Sequence, residues 1–273
     1  MMTESDPNYG LLTETSTISE TRNERWQRHL PNTIGFAWLR AGWRDIAAQP
    51  ALSLGYGLGV FVASVAVIAL IVAYQRDYAL LPALTGFLIV GPVFAVGLYE
   101  KSWARERGER TTLRQMLYVK PAAGAQIYFI GVLLCLLMVL WIRAAVLIYA
   151  LFFGVRPFPG LEHLASFLVS EPIGWALLLV GSFVGGLFAA FAFAISVFSI
   201  PMLLEKRVDA LTAMGSSTAL VWNNLWPMIV WGAIVLVLFA LCAATGLLAL
   251  IVVFPLVGHA TWHAYRTVSR PEG

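Results

Sequence analysis

The chain has 273 residues, of which 59% are hydrophobic and 12% charged, with a formal net charge of +3. An ordinary soluble domain carries about 25% charged residues, so this composition excludes a soluble globular body and points to lipid as the solvent. The basic excess is spread along short stretches beside apolar runs, which accounts for it without a nucleic-acid partner.

Residues 1–33 are rich in Thr, Ser and Glu and carry no apolar run. They predict a disordered tail rather than a cleaved signal peptide. The next stretch, "GFAWLRAGWRDIAAQP", spaces Phe36, Leu39, Trp43 and Ile46 by three and four residues, which puts them on one helical face. Uninterrupted apolar stretches follow at Ala51 to Tyr74, Ala79 to Tyr99, Gln126 to Phe153, Gly174 to Pro201 and Pro227 to Ala264. A helix needs roughly 20 apolar residues to cross the hydrocarbon core. The last stretch would reach about 55 Å as one helix, so it divides near "AATG", Ala243 to Gly246. The prediction is an all-α polytopic membrane protein with six transmembrane helices in three hairpins, its membrane domain spanning 34–268 and a short C-terminus at 269–273.

Each hairpin follows an amphipathic stretch. The second is "TTLRQMLYVKP", with Leu113, Met116 and Leu117, and the third is "ALTAMGSSTALVWNNLWP", with Leu211, Met214, Val221, Trp222 and Leu225. These read as interfacial helices, with Trp38, Trp43, Trp222 and Trp262 as anchors at headgroup depth. The units also repeat in detail. "PVFAVGLYE" puts Glu100 eight residues after Pro92, and "PLVGHATWH" puts His263 eight after Pro255. Short loops rich in Lys and Arg stay cytoplasmic. Arg22, Arg25, Arg28, Arg40, Arg44, Lys101, Arg105, Arg107, Arg110, Arg114, Lys120, Lys206, Arg207, Arg266 and Arg270 fall on one side, against Arg76 and Arg156 on the other. Both termini are therefore expected in the cytoplasm of a cell whose inner membrane holds the protein.

The candidate polar cluster near that face comprises Asp45, Glu100, Glu205, Asp209, Asn223, Asn224, His259 and His263. His259 and His263 are four apart on one helical face and can meet one metal, with Glu100 or Asp209 supplying a carboxylate. The competing reading is that both rings hydrogen-bond neighbouring helices. Haem ligation is not expected, because the two rings share a face, His29 is in the tail and His163 lies on the opposite side. Arg143 is the only charge deep inside a span, which marks it as a functional candidate unless it snorkels outward. Gly55 with Gly59, and Gly181 with Gly185, have the spacing that lets helices pack closely in lipid. Cys135 and Cys242 both fall in apolar stretches, so no disulfide is expected. No nucleophile, acid–base pair or phosphate-binding loop has a plausible placement.

"GLYEKSWARERGE", "STALVWNN" and above all "PLVGHATWHAYR" resemble the bacterial integral-membrane family catalogued as domain of unknown function 2189. The resemblance covers about 34–268, with GHATWHAYR its most specific part. It implies a polytopic inner-membrane protein without an established activity; some members are labelled cytochrome c oxidase components. The repeat also resembles the membrane part found beside glycerophosphodiester phosphodiesterase domains, although this chain has no such catalytic domain. Three functions stay open at this point. The first is a non-enzymatic accessory or scaffold protein for a lipid or membrane-protein partner, with no cofactor; the second is a transporter or channel built from hairpin repeats. The third is a metal handler using His259 and His263. Oligomeric state is left open.

Overall fold

A computed structural model describes residues 26–154 and 170–269. Residues 1–25, with Arg22 and Arg25, the segment holding Arg156 and His163, and the last four residues lie outside these. Every regular element among the described residues is helical: α1 (Ile34–Ala48), α2 (Pro50–Ala73), a 3-10 turn (Asp77–Ala79), α3 (Leu80–Phe94), α4 (Val96–Glu106), α5 (Leu113–Leu117), α6 (Gln126–Phe153), α7 (Pro172–Ser196), α8 (Ser199–Glu205), α9 (Ala210–Asn223), α10 (Leu225–Ala244) and α11 (Leu250–Ser269).

Five segments are long and apolar enough to cross a membrane: α2, α3 with α4, α6, α7 with α8, and α10. The sixth apolar stretch does form a helix, α11, after a turn in which Gly246 and Leu247 both adopt left-handed backbone angles. It does not join the five, because its second half carries His259, Thr261, His263, Tyr265, Arg266 and Thr267. Apart from Thr261, which bonds back to the Val257 carbonyl of its own helix, these side chains contact neighbouring helices. His259, Trp262 and Tyr265 are wholly buried, so the second half of α11 is a core around which its neighbouring helices are assembled.

Glycines set how closely α11 is approached. A methyl group at Gly42 of α1 would lie 2.8 Å from the Leu256 carbonyl oxygen, and one at Gly57 of α2 would lie 2.2 Å from that of Ile251. Gly55 and Gly59 have nothing within 4 Å of a hypothetical Cβ. The close approach in "GYGLG" therefore belongs to its middle glycine and not to the spaced pair. In "GSFVGG", Gly185 meets the Trp141 ring while Gly181 faces open space.

A short helix precedes each long apolar helix that opens a unit: α1 before α2, α5 before α6, α9 before α10. On α1, Phe36 and Trp43 are exposed (62% and 54%), while Trp38, Asp45 and Ile46 are buried. On α9, Leu211 and Trp222 are exposed (69% and 74%), while Ala213, Ser217 and Leu220 are buried. Two expected anchors are thereby corrected. Trp38 (2%) and Trp262 (0%) are core residues, and each indole N–H finds a partner within the protein: Thr267 Oγ1 at 3.1 Å for Trp38 and Glu106 Oε1 at 3.1 Å for Trp262. The tail assignment changes as well. Residues 26–33 lie against the helices, with the Arg28 amide donating to Asn224 Oδ1 (2.7 Å), Arg28 Nε to the Val268 carbonyl (3.0 Å) and Asn224 Nδ2 to the Trp26 carbonyl (2.9 Å).

Candidate polar site on the central helix

The junction of α1 and α2 creates the first need. Pro50 opens α2 without an N–H, and the Gln49 amide bonds to Ile46, leaving the Asp45 carbonyl without its helical donor. Lys101 of α4 fills this place. Its ammonium donates to the carbonyls of Asp45 (2.9 Å) and Gln49 (3.1 Å) and to Ser53 Oγ (2.5 Å), satisfying all three protons at the negative end of α1. Lys101 is only 1% exposed. Sequence reasoning placed it in a solvated loop, but it is buried inside a continuous helical segment.

From Lys101 a chain of hydrogen bonds runs through the middle of the site. Asp45 Oδ2 accepts from Ser102 Oγ (2.5 Å) and from His263 Nε2 (2.9 Å), and its other oxygen pairs with Arg105. Ser102 also meets His259 Nδ1 at 2.8 Å, and Ser53 meets His259 Nε2 at 2.9 Å. A carboxylate only accepts, so the Ser102 proton goes to Asp45 and His259 Nδ1 must donate to Ser102. For a neutral ring, Nε2 then accepts from Ser53, whose oxygen accepts from Lys101. The order Lys101, Ser53, His259, Ser102, Asp45 runs in one direction, and each of these bonds is buried. Burial pushes the Asp45 carboxyl up, but the hydrogen bonds from His263 and Ser102 outweigh it and hold the group below the ordinary aspartate range.

The second half of "GHATWHAYR" makes a separate clasp. Tyr265 donates to Glu205 Oε2 at 2.7 Å, Arg266 pairs with the other Glu205 oxygen, and Arg266 Nε lies 2.8 Å from Glu106. Residues four apart in α11 thus reach α1, α2 and α4 on one side and α4 and α8 on the other.

The expected metal set is not assembled. Among the described residues no three His, Cys, Asp or Glu side chains come together as metal ligands. Glu100 pairs with Arg107 at 3.6 Å, and Asp209 caps α9 by accepting from the Thr212 amide at 2.9 Å. The carboxylate that reaches the histidines is Asp45. His29 is exposed at the surface. Arg143 is exposed on the outer face of α6 and lines neither described cavity. What sequence reasoning missed was Lys101, Ser102 and Ser53. The available signal was "EKSWARE", where Lys101 and Arg105 are one turn apart and so share a face. The hydrogen bonds from Thr212 hold the Asp209 carboxyl below its usual range. Asp209→Ala is expected to speed amide exchange over residues 210–213 while leaving the His259 region protected, as read by hydrogen–deuterium exchange; equal exchange in both chains would rule out the capping role.

The residues matched by the family comparison include one side of this site. Residues 80–205 match the family model DUF2189, a predicted integral membrane protein. The DUF2189 segment runs from α3 to α8 and contributes Lys101, Ser102, Arg105, Glu106 and Glu205. The match is narrower than the 34–268 expected from the sequence, and it leaves Asp45, Ser53 and GHATWHAYR outside. No curated protein and no solved structure matches the chain.

Proposed function

We propose that this multi-pass membrane protein is a non-enzymatic scaffold whose helices α1 and α9 form a platform at the cytoplasmic face for lipid or a membrane-protein partner. In this reading the protein sits in a bacterial inner membrane, α11 completes a sixth span, and both termini are cytoplasmic. The observation that carries it is the two-sided character of α1. Its inner face is fixed to α11 and α4 through Trp38, Gly42 and Asp45, while Phe36 and Trp43 point outward. The outward Leu211 and Trp222 of α9 extend the same kind of surface. A rigidly seated helix with free aromatic side chains suits a headgroup boundary or a partner surface. The polar site behind it supports a structural role, since its serine hydroxyls, both His259 ring nitrogens and the Lys101 ammonium are hydrogen-bonded within the protein. A carrier would need a polar path, and the cavity between α3, α4, α7, α10 and α11 is lined almost wholly by apolar side chains.

The test is photo-crosslinking in native membranes with benzoylphenylalanine placed at Phe36, Trp43 or Trp222. A discrete protein adduct at these positions supports a partner platform, and lipid adducts alone support a lipid platform. Crosslinking to neither, with the same yield as at a water-exposed position such as Glu109, would overturn it.

A further inference from the structure

A cavity of about 120 Å³ lies between α3, α4, α7, α10 and α11. Phe87, Phe239 and Phe254 wall it, with Phe87 stacked on Phe239 at 6.4 Å and tilted against Phe254 at 5.8 Å. Along α11 its lining runs from Leu250 to Thr261, and along α10 from Cys242 back to Trp231. Either run corresponds to roughly 16 Å of helix. No charged side chain contributes to the lining.

Two polar groups do not match these walls. Trp231 Nε1 and Ser196 Oγ are buried and have no hydrogen-bond partner among the described residues, in side chains 0% and 1% exposed. Buried polar groups are nearly always paired, and an orphan calls for an explanation. The other buried tryptophans follow the rule: Trp38 donates to Thr267, Trp141 to the Pro82 carbonyl (3.2 Å) and Thr85 (3.0 Å), and Trp262 to Glu106. Trp231 does not. An indole N–H can only donate, and a serine hydroxyl can do the same, so an acceptor oxygen answers either.

We infer that this cavity binds an uncharged, carbonyl-bearing hydrocarbon segment of a membrane component, with its carbonyl oxygen accepting from Trp231 Nε1 or Ser196 Oγ. The adjoining hydrocarbon packs against Phe87, Phe239 and Phe254. The lack of any cationic lining residue selects a neutral ester or ketone over a carboxylate. The volume is somewhat less than the ~150 Å³ of an engineered cavity that takes benzene. It therefore admits a segment of a lipid, with the remainder outside the bundle. A fatty-acyl ester and a prenylated quinone share this chemistry. The inference does not depend on the platform reading, since the cavity and the outer faces of α1 and α9 have no residue in common.

The test uses the full chain purified in detergent, with retained lipid extracted and weighed by mass spectrometry. Phosphatidylglycerol carrying ¹³C ester carbonyls is then added back for infrared spectroscopy. Gly91→Leu fills the cavity, because a Cβ at Gly91 meets only Phe87 Cε1 at 3.8 Å. Trp231→Phe with Ser196→Ala removes the donors and keeps the shape. The wild type is expected to retain about one equivalent of ester lipid, with Gly91→Leu retaining at least tenfold less. It should also show a ¹³C carbonyl band shifted to lower frequency, which the donor-deficient double variant loses. A retained quinone in place of ester lipid upholds the inference and identifies the source. Equal retention in wild type and Gly91→Leu, or a site holding only water with no shifted band and no quinone, overturns it. Should Gly91→Leu fail to fold, the donor-deficient double variant decides, and retention and spectra equal to wild type reject the assignment.

Discussion

Asp45→Ala is expected to lower the thermal stability of the purified protein by roughly 10 °C, more than Asp45→Asn does. The carboxylate takes hydrogen bonds from Ser102 and His263 and pairs with Arg105, and its side chain is 4% exposed. Removing one partner of a buried charged group costs about 3–5 kcal/mol because the other partners are left unmatched. Arg105 is 43% exposed and can turn to solvent, which places the loss near the lower end, about 3 kcal/mol. For a chain of this size 1 kcal/mol corresponds to roughly 2–4 °C. Asp45→Asn can keep an oxygen towards Ser102 and His263 but sets an NH2 donor against Arg105, which turns to solvent, so its cost is that of one hydrogen bond to a charged group at the low end of its range, about 1.5 kcal/mol. The pH dependence has a definite sign. A carboxyl held lower in the folded than in the unfolded chain adds stability that is complete above the ordinary aspartate value of about 4, and loses it as pH falls through the folded value. The stability gap between wild type and Asp45→Asn should stay constant from pH 7 to 5 and close below 4. Equal melting of wild type and Asp45→Ala by circular dichroism would show that the network contributes nothing.

How far the sequence could be read is clearest at GHATWHAYR. Apolar run lengths located the long helices to within a few residues, since crossing a hydrocarbon core sets a length that composition reveals directly. The same criterion did not reveal how the polar half of α11 is used. Hydropathy scores residues singly, whereas this helix hides polar side chains by pairing each with one from another helix. The histidine pair was correctly singled out, but its partners were not, because Asp45, Ser53 and Ser102 stand 157 to 218 positions away on three different helices. Lys101 was misread for the same reason. A lysine near a span end is normally solvated, and only the broken junction at Pro50 supplies the buried carbonyls that hold it. Trp38 and Trp262 show the limit of the aromatic-belt rule, which identifies where tryptophans collect along the membrane normal but not whether they face lipid or protein.

The glycines of "GYGLG" offer the sharpest contrast between pattern and contact. Gly57→Ala is expected to destabilise the fold by about 3 kcal/mol, and Gly55→Ala and Gly59→Ala to leave it unchanged or slightly more stable. Pro255 has no N–H, so the Ile251 carbonyl one turn earlier lacks its helical partner, and that carbonyl is what Gly57 touches. A Cβ at residue 57 would sit 2.2 Å from the Ile251 oxygen and 3.0 Å from Pro255 Cδ. Both neighbours are fixed by the backbone or a ring, so neither can swing aside, and α2 must withdraw from α11. Overpacking of this kind commonly costs 1–3 kcal/mol, and a clash with main chain belongs at the top of that range. Ser53 is one turn before Gly57 on the same face of α2, so the withdrawal would also stretch its bonds to Lys101 and His259. Alanine is the better helix former by up to about 1 kcal/mol, so a loss at residue 57 cannot come from helix propensity. The same preference favours the changes at Gly55 and Gly59, where the new methyl meets nothing within 4 Å. Melting of the three variants in one detergent separates the readings. A loss confined to Gly57→Ala follows from the α2–α11 contact, while losses at Gly55→Ala and Gly59→Ala alone would assign this face of α2 to pairing with another helix.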